Sequence, residues 1–366
     1  MDYRVGKSEK NSISEAIEEA TKGFKQPKLI IFSSDINNFE EYTKCLYLKF
    51  PKTTIIGTSS YVSLCKEGVY HKGIVLAGIE EGIECCGNVL EDINRYPLMY
   101  ADRIEECVRK LGQPQNTICL EFTNGLINSE ESVMTTLNTV LEDKKIPVIG
   151  GTAGDDLKAG YTLVSYNGQV YKEACVFVLI HNTKGKIKIY RENIYKPMNA
   201  YHVATKADSF NRIIYELDNK PAAQVMAQDL GVSVSELPKY MNNHSWGRVM
   251  GTGIYITANR EIMKNGAIAL HARTYKNAQM ILLEAEDYHK INEETIRTIH
   301  SDIPNPSFGI VVHCLARSIL YERNRDMDDL VKKLGACMGG YIGISGYGEQ
   351  EGGQNFNQTM VVAVFE

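Results

Sequence analysis

The feature that most limits what this 366-residue chain can fold into is an order of elements that recurs along it. In three stretches a short apolar run leads, a helical pattern follows, a second apolar run returns to a glycine, and a third run closes. The first has residues 29–32, a helical face of Phe39, Tyr42 and Leu46, the return 54–57 and the close 73–79. The second has 117–122, a face of Val133, Leu137, Val140 and Leu141, the return 146–150 and the close 174–180. The third has 309–315, Met327, Leu330, Val331 and Leu334, then 341–343 and 359–365. Apolar residues spaced i, i+3, i+4 and i+7 mark amphipathic helices, and short β-branched runs mark buried strands. Asn38 with Glu41 and Asn128 with Glu131 have the spacing of capping boxes at two helix starts. The expected fold class is mixed α/β (α+β): repeated β-α-β-β units forming mixed sheets with covering helices.

A different region separates the second and third repeats. Residues 212–217 read as a strand, Asp218-Asn219-Lys220 as a turn, and Pro221 as the opening of a helix that ends near Leu230 before Gly231. A short helix is expected over 234–241, then long strand-like stretches over 248–257 and 267–283, with Asn265-Gly266 as a hairpin signal. The boundary falls near residues 201–208, giving domains 27–204 and 205–366. No Pro- or Ser-rich linker marks it, so the two are expected to pack closely.

Composition narrows the functional classes. Hydrophobic residues at 43% and charged residues at 23% are ordinary for a globular chain long enough to bury a core without metals or staples. A net charge of −5 offers no general basic field for nucleic acid. The first dozen residues have no apolar signal region, and the apolar run 174–180 is far short of the roughly 20 residues a membrane span needs. Nine scattered cysteines, several within apolar runs (Cys119, Cys175, Cys314), suit a reducing compartment. The expected location is cytoplasmic, with no membrane span.

Several of these segments resemble the FIST family, whose N-terminal and C-terminal halves are separate modules. The N-terminal likeness rests on Ile149-Gly150-Gly151-Thr152-Ala153-Gly154-Asp155, then Tyr161-Thr162 and the hairpin Tyr166-Asn167-Gly168. At the junction it rests on Tyr215-Glu216-Leu217-Asp218-Asn219-Lys220-Pro221-Ala222. In the C-terminal half it rests on Cys314 with Arg317, Gly346-Tyr347-Gly348-Glu349, and Asn357-Gln358-Thr359. The turn Gly57-Thr58-Ser59-Ser60-Tyr61 departs from the family pattern, which has an Ala-Gly pair there. The resemblance implies an intracellular sensory protein for a small ligand such as an amino acid, or a haem-binding sensor of nitric oxide. It also implies output through a separate signalling protein of kinase, cyclase or chemoreceptor type.

The candidate ligand residues follow the glycine turns. Gly150, Gly151, Thr152, Ala153 and Gly154 offer backbone amides for an anion nest, and Asp155 with Asp156 offers acceptors for an ammonium group. The plain alternative is a tight turn after a buried strand. Gly346, Tyr347, Gly348 and Glu349 occupy the equivalent place in the third repeat, with Glu349 an acceptor and Tyr347 a lid. Arg317 suits a ligand carboxylate, or else an internal pair with Glu349. Asn357 and Thr359 read as fold-serving residues, and His244 beside Trp246 as a hydrogen-bonded structural histidine. No phosphate-binding loop, zinc pair or nucleophile elbow is present, so catalytic residues and metal ligands are expected to be none. An enzyme acting on a small amino or carbonyl compound remains the rival class, with a Cys314–His271 thiolate pair as its weakest form.

Overall fold

A computed structural model describes residues 1–112 and 115–366. It is a mixed α+β protein whose chain divides into two compact units. One comprises Met1–Glu192, Asn292–Gly353 and Met360–Glu366; the other comprises Asn193–Ile291 and Gln354–Thr359. These units cut the chain differently from a linear division at 204/205, because the third repeat lies in the first unit with the other two.

All three repeats form in that first unit, and each is longer than the sequence pattern indicated. Each starts with an edge strand and a helix: Asp2–Ser8 and Ile13–Ala20, Ile83–Leu90 and Ala101–Leu111, Ile187–Asn193 and Tyr288–Asp302. A lead strand follows (Leu29–Ser34, Thr117–Thr123, Phe308–Cys314), then a covering helix (Phe39–Lys49, Glu130–Leu141, Met327–Met338). Next come the return strand (Thr54–Ser59, Val148–Thr152, Tyr341–Gly346) and the closing strand (Ile74–Glu81, Cys175–Asn182, Thr359–Phe365). In each of the three repeat sheets the order is edge, closing, lead, return. Lead and return strands run parallel, and the closing strand runs antiparallel to the lead. The helix between lead and return supplies the crossover that a parallel pair requires.

The next position in each sheet is filled by another repeat. The hairpin Ser63–Cys65/Gly68–Tyr70 of the first repeat extends the third sheet. The hairpin Val164–Tyr166/Gln169–Tyr171 of the second extends the first sheet, turning on Asn167 and Gly168, both at positive φ. Strand Gly348–Glu351 of the third extends the second sheet. The exchange is cyclic, and it covers the three return strands, so that each sheet ends there in a short strand. Lead strands buried on both faces read as continuous apolar runs, as in Leu29, Ile30, Ile31 and Phe32, all fully buried. Leu137, Val140 and Leu141 pack with Phe177 and Leu179, and Phe39, Tyr42 and Leu46 with Ile30 and Phe32. Each such side chain stabilises the fold by about 1.5–3 kcal/mol.

Local expectations needed correction. Asn38 caps the first covering helix without a side-chain bond; the Asp35 carboxylate instead accepts the Asn37 and Asn38 amides at 3.1 and 3.2 Å. The second covering helix is capped at Ser129, because Asn128 lies one residue outside it at φ 55°.

The second unit is inserted between the third repeat's edge strand and helix. Its helix Ala222–Leu230 ends at Gly231 in the left-handed region, as expected. The turn at Asp218-Asn219 has both residues at positive φ, the two-residue hairpin geometry, linking Ile213–Leu217 to Lys220–Pro221. Neither long strand is continuous. The stretch 248–257 folds back at Gly251, φ 59°, so that Met250 pairs with Gly253. The stretch 267–283 breaks into Ile268–Leu270 and Gln279–Ala285 around the polar run 273–277.

Candidate functional site

The three return strands end in turns that meet. The Tyr61 amide donates to the Ser345 carbonyl at 2.9 Å, the Gly154 amide to Ser59 at 3.0 Å, and the Tyr347 amide to Thr152 at 3.1 Å. Each donor lies two residues after the acceptor of its own repeat, so the bonds close a ring in which every repeat gives one and receives one. Glycine is required here by crowding. A Cβ at Gly346 would lie 1.8 Å from the Thr152 carbonyl oxygen, and one at Gly154 would lie 2.7 Å from that of Ser345. Small hydroxyls fill the hub: Ser59 Oγ donates to the Gly154 carbonyl at 2.7 Å, and Ser318 and Ser345 hydroxyls pair at 2.8 Å.

The ring brings together the two segments singled out in the sequence. Gly348 pairs with Thr152, Glu349 with Gly151 and Gln350 with Gly150 in one antiparallel ladder. Asp155 is buried, and its carboxylate accepts the Leu157 amide at 3.1 Å, the Gly160 amide at 3.0 Å and the Tyr347 hydroxyl. Burial, and then this carboxylate, push the Tyr347 phenol above its usual value. Asp156 accepts the Lys158 and Ala159 amides. The anion nest does not form, since the Ala153 and Gly154 amides donate to Thr123 and Ser59 carbonyls inside the fold. Two loops near Tyr347, one before the second covering helix and one after the second return strand, are unusual. Leu126, Asn128 and Leu157 hold positive φ, and Leu126 and Leu157 are each 50% exposed. Non-glycine residues in that region store strain of order 1–3 kcal/mol, a cost that functional sites often carry.

This chain matches the FIST N domain over residues 28–220 and the FIST C domain over residues 222–351. The chain belongs to the FIST family. It is also 25% identical over 349 residues to an uncharacterized protein of Methanocaldococcus jannaschii, covering 86% of this chain and 66% of that protein. The FIST chain thus spans just under two thirds of the length of that relative.

FIST domains form a family of sensory, signal-transduction domains, so the remaining polar groups of this FIST protein matter. Arg317 is not at the turn. It is fully buried and bonded to the Glu192 carboxylate and carbonyl and to Tyr321, whose hydroxyl donates to Asn292 at 3.0 Å. Its ion partner is therefore Glu192 rather than Glu349. Glu192 is the last residue before the chain enters the second unit, and Asn292 the first after it returns. Arg317 thus ties the two ends of the insertion within the first unit.

Glu121 escaped the sequence reading, although a lone acid inside the buried run Thr117–Thr123 was a visible signal. Its carboxyl lies beside Gly150, accepts from Thr123 at 2.6 Å and Cys175 at 3.4 Å, and leaves Oε1 without a partner. Burial foremost, with Glu130 adding, pushes it up to about 8. Glu349 is likewise fully buried.

In the other unit, the His244 ring bonds to the Tyr240 carbonyl, the structural role expected of it. His202 bridges Asp218 and Asp229 at 2.6 and 2.8 Å, edge-on to Trp246.

Among the described residues no group of His, Cys, Asp and Glu could hold a metal ion, and no helix is long and apolar enough to cross a membrane. His313 does not fit as a haem ligand. His313 has a spare ring nitrogen, but the ring is fully buried, bonded to Ser318 and set edge-on to Tyr321 at 5.6 Å. Burial, with Arg317 adding, holds it in the neutral form.

Proposed function

We propose that this FIST protein is a cytoplasmic, non-enzymatic sensor that binds a small polar molecule at Asp155 and Tyr347. A separate signalling protein, of kinase, cyclase or chemoreceptor type, reads the bound state. The observation that carries this reading is the half-buried Tyr347 hydroxyl resting on a buried carboxylate that two backbone amides already hold in place. An ammonium or hydroxyl group of a ligand, an amino acid being the favoured class, replaces the phenol at Asp155 without disturbing those amides. Tyr347 precedes strand Gly348–Glu351, so displacing it pulls on the ladder that joins the third repeat to the second. A ligand shifts that equilibrium only by binding one state better than the other.

The non-enzymatic part rests on the same chemistry. Two backbone amides keep their hold on the Asp155 carboxylate when a ligand replaces the phenol, which fixes it as an acceptor for binding.

The test starts with mass spectrometry of small molecules released from the purified protein, followed by calorimetry of the recovered compound, or of an amino-acid panel, on wild type, Asp155→Asn and Tyr347→Phe. Binding without turnover is expected, weakened at least about tenfold in Asp155→Asn, about 1.4 kcal/mol. Turnover that Asp155→Asn abolishes would assign the protein to the rival enzyme class. Unchanged affinity in a folded Asp155→Asn variant would move the site away from the hub.

A further inference from the structure

The second repeat carries a pair of thiols outside this site. Cys86 lies on the edge strand Ile83–Leu90 and Cys107 on the helix Ala101–Leu111 that packs against it. Their sulfurs are 2.6 Å apart, where a formed disulfide spans about 2.05 Å, so bonding them takes a small movement. Alternation along the strand separates this pair from its neighbour: Cys85 reaches the Lys28 carbonyl at 3.6 Å, while Cys86 packs with the core under the helix. Access is unequal. Cys86 is partly exposed and Cys107 is 2% exposed. The hydrogen bond with Cys107 lowers the Cys86 thiol to about 7 against the opposing effect of burial, with Lys110 one turn along the helix helping. The lowering favours the thiolate, the reactive form of a thiol.

We propose that Cys86 and Cys107 are a dithiol site that undergoes exchange with low-molecular-weight disulfides and closes into an intramolecular bond. The Cys86 thiolate attacks one sulfur of the small disulfide. A Cys86–sulfur bond forms, the small disulfide breaks, and its other half leaves with the electron pair as a thiolate. Cys107 then attacks Cys86 Sγ, its proton passing to the departing second thiolate. The protein dithiol loses two electrons and two protons, and the small disulfide becomes two thiols. Cys86 is the attacking group because a solvent-borne disulfide reaches it; Cys107 resolves the adduct because it is already in contact. The product fastens the edge strand of the second sheet to its helix.

The experiment treats the folded full-length chain with oxidised glutathione, alkylates the remaining thiols, and maps the digest by mass spectrometry. Wild type is expected to yield a Cys86–Cys107 linked peptide lacking two hydrogens. Cys107→Ser should stop at a glutathione adduct on Cys86, and Cys86→Ser should give neither product. A wild-type adduct that persists on Cys86, or both thiols remaining alkylatable while the partly exposed Cys45 reacts, overturns the proposal. Should the variants misfold, the time course on wild type decides. A glutathione adduct on Cys86 that gives way to the linked peptide supports the proposal, and a first adduct on Cys107 overturns it.

Discussion

Phe32 and Glu121 occupy the same place in two repeats of one scaffold. Phe32 pairs in parallel register with Gly57, and Glu121 with Gly150. In each case a Cβ on the glycine would come within 2.1 Å of the side chain beside it, the Phe32 ring or Glu121 Oε1. In the third repeat Val311 pairs with Gly343, and the side chain that a Cβ there would meet is Leu64, at 2.6 Å. The scaffold thus asks for a filler over a glycine, and two repeats meet it with apolar groups. A carboxyl contributes less to packing and carries a desolvation penalty, so the fold alone does not account for Glu121. Repeats that share a frame make their departures readable, and most departures fall in the second and third: Glu121, Asp155, Tyr347 and Arg317.

The largest effect should come from erasing this difference in the wrong direction. Phe32→Glu deletes a buried ring and buries an acid with no partner, and should lower stability by about 4–5 kcal/mol or prevent folding, as read by urea unfolding. A loss below about 1 kcal/mol would show that the first repeat accommodates a buried carboxyl as readily as the second, and the contrast between them would fall.

Titration tests the other side. Glu121 is raised in the fold from 4.5 to about 8, so the folded state holds its proton more tightly than the unfolded one. Its contribution is complete below pH 4.5 and is lost as pH rises through 8, by roughly 5 kcal/mol as an upper limit. Glu121→Gln, a neutral stand-in for the protonated form, should flatten the decline between pH 5 and 9 in melts of stability against pH. A slope unchanged in that variant would mean that Glu121 ionises elsewhere.

The thiol pair also distinguishes the second repeat. Oxidation to the Cys86–Cys107 bond should stabilise the fold by about 3 kcal/mol for the loop it closes, measured as the change in unfolding midpoint between reduced and oxidised protein. The smallest effect belongs to the hub. Tyr347→Phe removes one donor to a charged acceptor and should lower stability by about 1.5 kcal/mol, in denaturant titrations at neutral pH. The ring of backbone bonds remains.

Much of the frame was legible because strands buried on both faces must be apolar and covering helices must be amphipathic. The hairpin at Asn167-Gly168, the turn at Asp218-Asn219 and the helix stop at Gly231 were readable from residues whose backbone preferences are strong. The edge strands were not, because Asp2–Ser8 and Ile187–Asn193 mix polar and apolar residues without a clean period. The candidate site was legible in part. The glycine turns and Tyr347-Gly348-Glu349 do meet, but the partners of Arg317 and Asp155 depend on residues far away in sequence. No local spacing links Glu192 to Arg317 or Tyr347 to Asp155.

The cyclic exchange of hairpins bears on how the chain is made. Leu64 pairs with Gly343, so the hairpin of the first repeat stays without its sheet until the strand Tyr341–Gly346, well beyond the inserted unit, has left the ribosome. The first sheet draws all its strands from residues before the inserted unit, whereas the second and third sheets wait for strands that follow it. Such long-range pairing slows folding and exposes strand edges to misassembly. The ring of turns, which needs Ser345 and Tyr347, therefore closes late, and chaperone protection matters most for the hairpin of the N-terminal repeat, which waits for the third sheet.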